Sequence, residues 1–217
     1  MMPARNAAIA VLLAATCLVC SGCNIVGPAF YMIRGPDKVK KVHTLDKNRT
    51  TVVVIDDRAN RVPRRALRVL MGDVAERTML KEKVVKDMVS SQSALAAAAS
   101  DRDGKPLSVA EIGEAVQAQV VVYATVDSFS ISPDGTTLSP TVVMRVRVVD
   151  VAKDERIWPE DPAGHRVVTR MAARVQTMPT STTGRYQVED DLAKRAGLEL
   201  AQLFFDHAAN QATLVPE

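Results

Sequence analysis

Acid–base, metal or nucleophile chemistry needs carboxylates, imidazoles, thiols or grouped cations at workable spacing, and this sequence offers few. Asp56 and Asp57 close one apolar run, and Asp150 and Asp154 follow another. Two carboxylates brought together could divide the acid and base roles of a hydrolase. Acids at strand ends more often cap the next segment or stay solvated, so no catalytic role is expected for them. His43, His165 and His207 are too dispersed for an HxH or HxxxH pair, and no metal site is expected. There is no GxSxG elbow and no glycine-rich phosphate loop, since Asp103-Gly104 and Asp134-Gly135 read as turns. No cofactor is expected. Arg61, Arg64, Arg65 and Arg68 gather near a helix start and form the candidate interaction patch. They could meet phosphate, lipid A or peptidoglycan carboxylates, although a solvated helical face is the commoner outcome.

The composition narrows the classes further. Of 217 residues 47% are hydrophobic, too many for a disordered chain and enough for one domain with some sequence to spare. Lysine and arginine number 28 against 25 acids, a net charge of +3, and aromatics are 4%. Near-balanced charge and few stacking platforms argue against a nucleic-acid partner.

The N-terminus reads as an address. Arg5 precedes an apolar run, 7–19 (AAIAVLLAATCLV), which is shorter than the ~20 residues a membrane-spanning helix needs. Cys20-Ser21-Gly22-Cys23 follows, and all three cysteines of the chain, Cys17, Cys20 and Cys23, lie in this segment. Small residues ahead of Cys23 resemble the lipobox of bacterial lipoproteins, with Cys20 standing where leucine is usual. The resemblance implies a signal peptide over 1–22 and a mature N-terminus at Cys23 carrying fatty acyl groups such as palmitate. Acyl chains, at ~0.8 kcal/mol per buried CH₂, would hold the protein on a bilayer. Asn24, rather than aspartate, follows Cys23, which by the same resemblance favours the outer membrane.

Residues 23–50, with Gly27-Pro28, Gly35-Pro36 and the basic cluster Lys38, Lys40 and Lys41, read as a flexible tether. Residues 51–210 read as the domain and 211–217 as a frayed tail. The run 51–57 (TVVVIDD) suits a strand buried on both faces. Pro63 then precedes Leu67, Leu70, Met71, Val74 and Thr78 at helical spacing, an amphipathic helix of about five turns. A second strand is expected over 83–89, a helix over 91–99, and a loop over 101–106. Ser108 and Glu111 fit a capping box opening a short helix. Long strands over 120–132 and 141–151 should pair antiparallel, with Val142, Met144, Val146 and Val148 inward and Arg145 and Arg147 on a wet face. Trp158 should pack at the core or its rim. A strand over 165–177, a loop over 179–184 and a last helix with Leu192, Ala193, Ala196, Leu200, Leu203 and Phe204 buried complete the domain. The order β-α-β-α-β-β-β-α, counting the two short helices as one, gives an α+β fold: a mixed sheet covered by amphipathic helices in one domain.

This order carries a resemblance. The segment 118–130 (AQVVVYATVDSFS) and the segment 142–158 (VVMRVRVVDVAKDERIW) are similar to two motifs of the curli-secretion lipoprotein CsgG and its relatives. Ala118, Val121, Val122, Tyr123, Ala124 and Val126 match the first motif. Val146, Val148, Asp150 and Val151 match the second, with Lys153-Asp154-Glu155 where a glycine turn is usual. The N-terminal domain of TolB and the lipoproteins that activate penicillin-binding proteins share the fold. The segments 132–140 and 179–186 are too short and polar for membrane hairpins, so no pore is expected.

The resulting expectation is a non-enzymatic envelope lipoprotein, anchored through Cys23 and facing the periplasm. It would dock envelope proteins in secretion, envelope assembly or cell-wall synthesis, and could form a homo-oligomer by strand addition. Two alternatives stand beside it. One is a periplasmic ligand-binding protein or hydrolase that gathers Asp56, Asp57 and the arginines in a concave pocket; the other is a lipid- or lipopolysaccharide-transport accessory.

Overall fold

The structure, a computed structural model, describes residues 38–99, 105–172 and 177–209. The expected signal peptide, Cys23, residues 101–104 of the expected loop and the tail expected over 211–217 lie outside these residues. The chain divides into two units, Met1–Val39 and Lys40–Glu217, and the second carries the fold described below.

Strand β1 (Thr51–Asp56) is the centre of the domain, and its residues 51–55 are fully buried, as a β-branched run between two helical layers must be. Helix α1 (Arg65–Lys81) follows, then a two-residue strand β2 (Met88–Val89), helix α2 (Ser91–Ala98) and helix α3 (Val109–Ala115). Strands β3 (Val120–Ser130), β4 (Thr141–Asp150), β5 (Glu155–Trp158) and β6 (His165–Arg170) come next, and α4 (Thr182–Gln202) closes the domain. The sheet order is β2-β1-β3-β4-β5, with β6 also on β4. β1 is parallel to β2 and β3, and β4 is antiparallel to β3, β5 and β6. The fold is therefore α+β with a mixed sheet.

Alternation along the strands divides the core. Val53, Ile55, Val122, Ala124, Met144 and Val146 face the layer made by α1 and α4. Val52, Val54, Val121 and Tyr123 face α2 and α3 on the other side. α1 and α4 lie so close that a Cβ on Gly197 would sit 2.3 Å from the Met71 carbonyl oxygen. α2 and α3 cover β1, the first half of β3 and the last residues of β4, and the rest of that face, from Thr125 across Arg145 to Arg166, is half-buried or exposed.

The capping box at Ser108 and Glu111 forms as expected. Four local readings need correction. The strand expected over 83–89 shrinks to Met88–Val89, because Lys83 turns with φ 54° and Val84 N–H bonds back to Met79 O, leaving Val84 and Val85 as a buried loop. α4 begins at Thr182, inside the expected loop, because Ser181 Oγ accepts from Gly184 N–H at 3.0 Å and caps it. β5, with its exposed Glu155, Arg156 and Ile157, is a strand without an alternating signal. The described part of β6 ends at Arg170; residues 173–176 of that expected strand lie outside the described residues.

The tether expected up to Thr50 ends earlier. Leu45 is buried in the core, and Val42 and His43 N–H groups bond to Leu203 O at 2.7 and 3.0 Å. Arg49 reaches Asp150 at 2.8 Å and Gln119 O at 2.8 Å. A polar, proline-bounded segment reads as linker when its anchors are single residues whose partners lie far along the chain.

Candidate functional site

The acids singled out by sequence are separated. Asp56 aligns with Thr125 at one end of β1, and Asp150 aligns with Val120, the partner of Thr51, at the other. Five residues at ~3.3 Å each put them roughly 17 Å apart, too far to share a proton or a substrate bond. Each acid is also engaged. Asp57 accepts from Arg61 and Val62 N–H at 2.7 and 2.9 Å and holds the turn into α1. Asp56 lies 3.5 Å from Arg58 and accepts from the Tyr123 hydroxyl. Burial first, and the Asp56 carboxylate second, push the Tyr123 hydroxyl up to about 12, so it stays a proton donor. Asp154 sits in an exposed turn with φ 52°.

His43 and His165 both pack on Trp158, with ring centroids 5.2 and 5.0 Å away, and Phe204 closes the cluster edge-on. Burial lowers both imidazole pKa values, the direction for neutral packing groups. His207 meets Phe205 edge-on instead. Trp158 is half-buried against the main core. Among the described residues no group of three or more His, Cys, Asp or Glu is placed to hold a metal.

The arginine patch is not one surface. Arg64 is spent on Glu189 and Asp190, both at 2.7 Å, with its guanidinium over the Tyr186 ring. Arg68 donates twice to Ile55 O at the end of β1. Arg61 borders a shallow concavity with Arg185 and Glu189. Arg65 and Arg68 border another, with Asp56, Asp57, Arg58 and Tyr123.

A second basic surface is the one the sheet builds. On the face left open by α2 and α3, cross-strand register puts Thr125 beside Arg145 and Arg145 beside Arg166. Val143 pairs with Val168, and Thr141 with Arg170, in the next rows. Arg147 lies over the Tyr123 ring at 4.8 Å. Two acids sit on this face: Asp127, 2.7 Å from Arg145, which raises the Arg145 pKa, and Asp56, aligned with Thr125 on the neighbouring strand and bonded to Tyr123. Two arginines directly opposite repel one another, so the fold gains nothing from the Arg145–Arg166 pair. The loop over 159–164 adds a polar cavity of about 260 Å³ lined by Thr125, Asp127, Arg145, Arg147 and Gly164. The sequence reading found Arg145 and Arg147 but missed Arg166 and Arg170, although they stand out of phase with the buried Val167 and Thr169.

No family model matches the chain, and no curated protein does. Solved structures resemble it distantly. The PelC dodecamer from Paraburkholderia phytofirmans is 13% identical over 76% of this chain and 95% of that one, with a TM-score of 0.41. Lipoprotein GNA1162 from Neisseria meningitidis is 14% identical over 66% and 95%, with a TM-score of 0.40. The LpoB C-terminal domain from Salmonella enterica is 14% identical over 60% and 88%, with a TM-score of 0.36.

Proposed function

We propose that the protein is a lipid-anchored, non-enzymatic module of the bacterial envelope that docks an acidic partner protein on its open β3–β4–β6 face. The observation that carries the reading is the like-charged pair Arg145 and Arg166 in adjacent strands. Asp127 balances Arg145 from within the chain, and an anionic group from outside would balance Arg166 beside it. Arginines rather than lysines, interleaved with Val143 and Val168, suit planar carboxylates on a protein surface with apolar contacts between them. The fold spends Asp56, Asp57 and Asp150 on its own contacts, which leaves the hydrolase reading without a free pair.

The anchor is Cys23, acylated after removal of 1–22, with the domain held at the periplasmic side of the outer membrane. Mass spectrometry of the membrane-extracted protein should find an acylated Cys23 at the N-terminus. Cys23→Ser should instead appear at full precursor mass or in the soluble fraction; an unmodified wild-type N-terminus in the soluble fraction would refute the anchor. For the docking face, a photo-crosslinker at Val168 of the full chain should give a discrete protein adduct in the native envelope. R145E/R166E should abolish that adduct, and the same probe at Lys81 should not form it. Adducts to lipid alone, or an adduct that survives the double charge reversal, would overturn the docking face.

A further inference from the structure

The parallel half of the sheet carries a topological switch. From β1 the chain crosses by way of α1, on one face, to β2 at the sheet's edge. It then returns by way of α2 and α3, on the opposite face, to β3 on the other side of β1. Where successive crossovers leave a strand to opposite sides, the helices diverge and a crevice opens beyond the carboxyl ends of the strands, the usual ligand position in open α/β sheets. The crevice is present here. A cavity of about 290 Å³ lies beyond the ends of β1 and β3.

Its two walls differ. Val54, Leu95, Ala98 and Ile112 make an apolar side. Arg58, Arg65 and Arg68 face them from the other, with Asp56 and Asp57 between. Most of these charges are committed: Arg68 to Ile55 O, Asp57 to two backbone N–H groups, and Asp56 to Tyr123 and Arg58. Arg58 also donates to Leu107 O at 3.1 Å, which fixes its guanidinium at the rim. Arg65 is exposed and, among the described residues, has no hydrogen bond or ion pair. Among the described lining residues, three cations stand against two carboxylates, with one cation uncommitted, beside an apolar wall.

We infer that this crevice binds a small anion, a carboxylate or a phosphate monoester, that carries a compact apolar group. The apolar group packs on Leu95, Ala98 and Ile112, and the anion pairs with Arg65. The volume lies at the small end of ligand pockets, so the occupant is the size of a single ring or short chain rather than an acyl lipid. This site adjoins the arginine face at Tyr123, on whose ring Arg147 lies, but Arg65, Leu95, Ala98 and Ile112 are on other elements, so each proposal can fail alone.

The test is calorimetric titration of the full chain with benzoate, phenyl phosphate, inorganic phosphate and benzyl alcohol. Saturable one-to-one binding is expected for at least one of the two aromatic anions, and which one binds tells carboxylate from phosphate. Inorganic phosphate and benzyl alcohol should each bind at least about tenfold more weakly, because each lacks one half of the recognition. Arg65→Glu should weaken the anion by about tenfold or more, and Ala98→Phe should block it by filling the cavity. Lys81→Glu, at the far end of the same helix, should change nothing, and circular dichroism of each variant checks folding. Absence of saturable binding by both aromatic anions, equal binding of benzyl alcohol, or wild-type binding by a folded Arg65→Glu would overturn the inference.

Discussion

Gly197→Leu is expected to lower the unfolding free energy by about 3 kcal/mol. A Cβ at that position meets the Met71 carbonyl oxygen at 2.3 Å and the Val74 Cβ at 3.0 Å. The first of these atoms is backbone and cannot rotate away, so α1 and α4 must separate along their contact. Separation opens gaps beside Leu67, Met71, Leu192, Ala196 and Leu200, all fully buried. Leucine is the better helix former by ~0.8 kcal/mol, which offsets only part of this. Urea unfolding measures it as a lower midpoint at unchanged slope. Lys194→Leu, at an exposed position on the same helix, should stay within ~0.5 kcal/mol of wild type. Equal midpoints for Gly197→Leu and wild type would mean that the two helices do not touch there.

Asp150→Asn should cost about 2 kcal/mol at neutral pH, by weakening the charge-assisted bonds that hold residues 42–50 to the end of the sheet. The Asp150 carboxylate accepts from Arg49 at 2.8 Å and from Lys153 N–H at 3.3 Å. Arg49, foremost, holds its pKa below the ordinary 3.8, so the unfolded chain binds that proton more readily. Its stabilisation is therefore complete above about pH 3.8 and is lost as the pH falls through the folded value. A second window lies higher. Burial depresses His43 and His165 below 6.5, so their contribution is present above that pH and declines on acidification through it. Wild-type stability should fall in two steps as pH drops, and Asp150→Asn should reduce only the lower one, to which Asp134 and Asp206, also held below the ordinary value by their hydrogen bonds, contribute too. A variant with an unchanged lower step would show that Asp150 does not carry it.

The layers were legible because they follow from periodicity. Thr51–Asp56 is a β-branched run, Leu67 to Thr78 recurs at helical spacing, and Val142 to Val148 alternates with arginines. Short or irregular pieces were not legible. Glu155–Trp158 is held as a strand by pairing to Val148, Val149 and Asp150, which no local pattern encodes. The segment 42–50 reads as linker, yet Leu45, His43 and Arg49 each find partners more than a hundred residues away or across the sheet. The grouping of Arg145, Arg147, Arg166 and Arg170 depends on the β4–β6 register, a long-range fact. The four arginines at 61, 64, 65 and 68 looked like a patch because they are adjacent in sequence. Helical geometry and the acids of α4 disperse them.

The attachment of residues 40–50 gives the chain a defined point of entry into the domain. Lys41 N–H bonds Asp206 at 2.9 Å, Val42 and His43 bond Leu203, and the His43 ring lies on Trp158. If Cys23 is anchored as proposed, tension along the chain would reach the domain first at these contacts, at the junction of the final helix with strand β5.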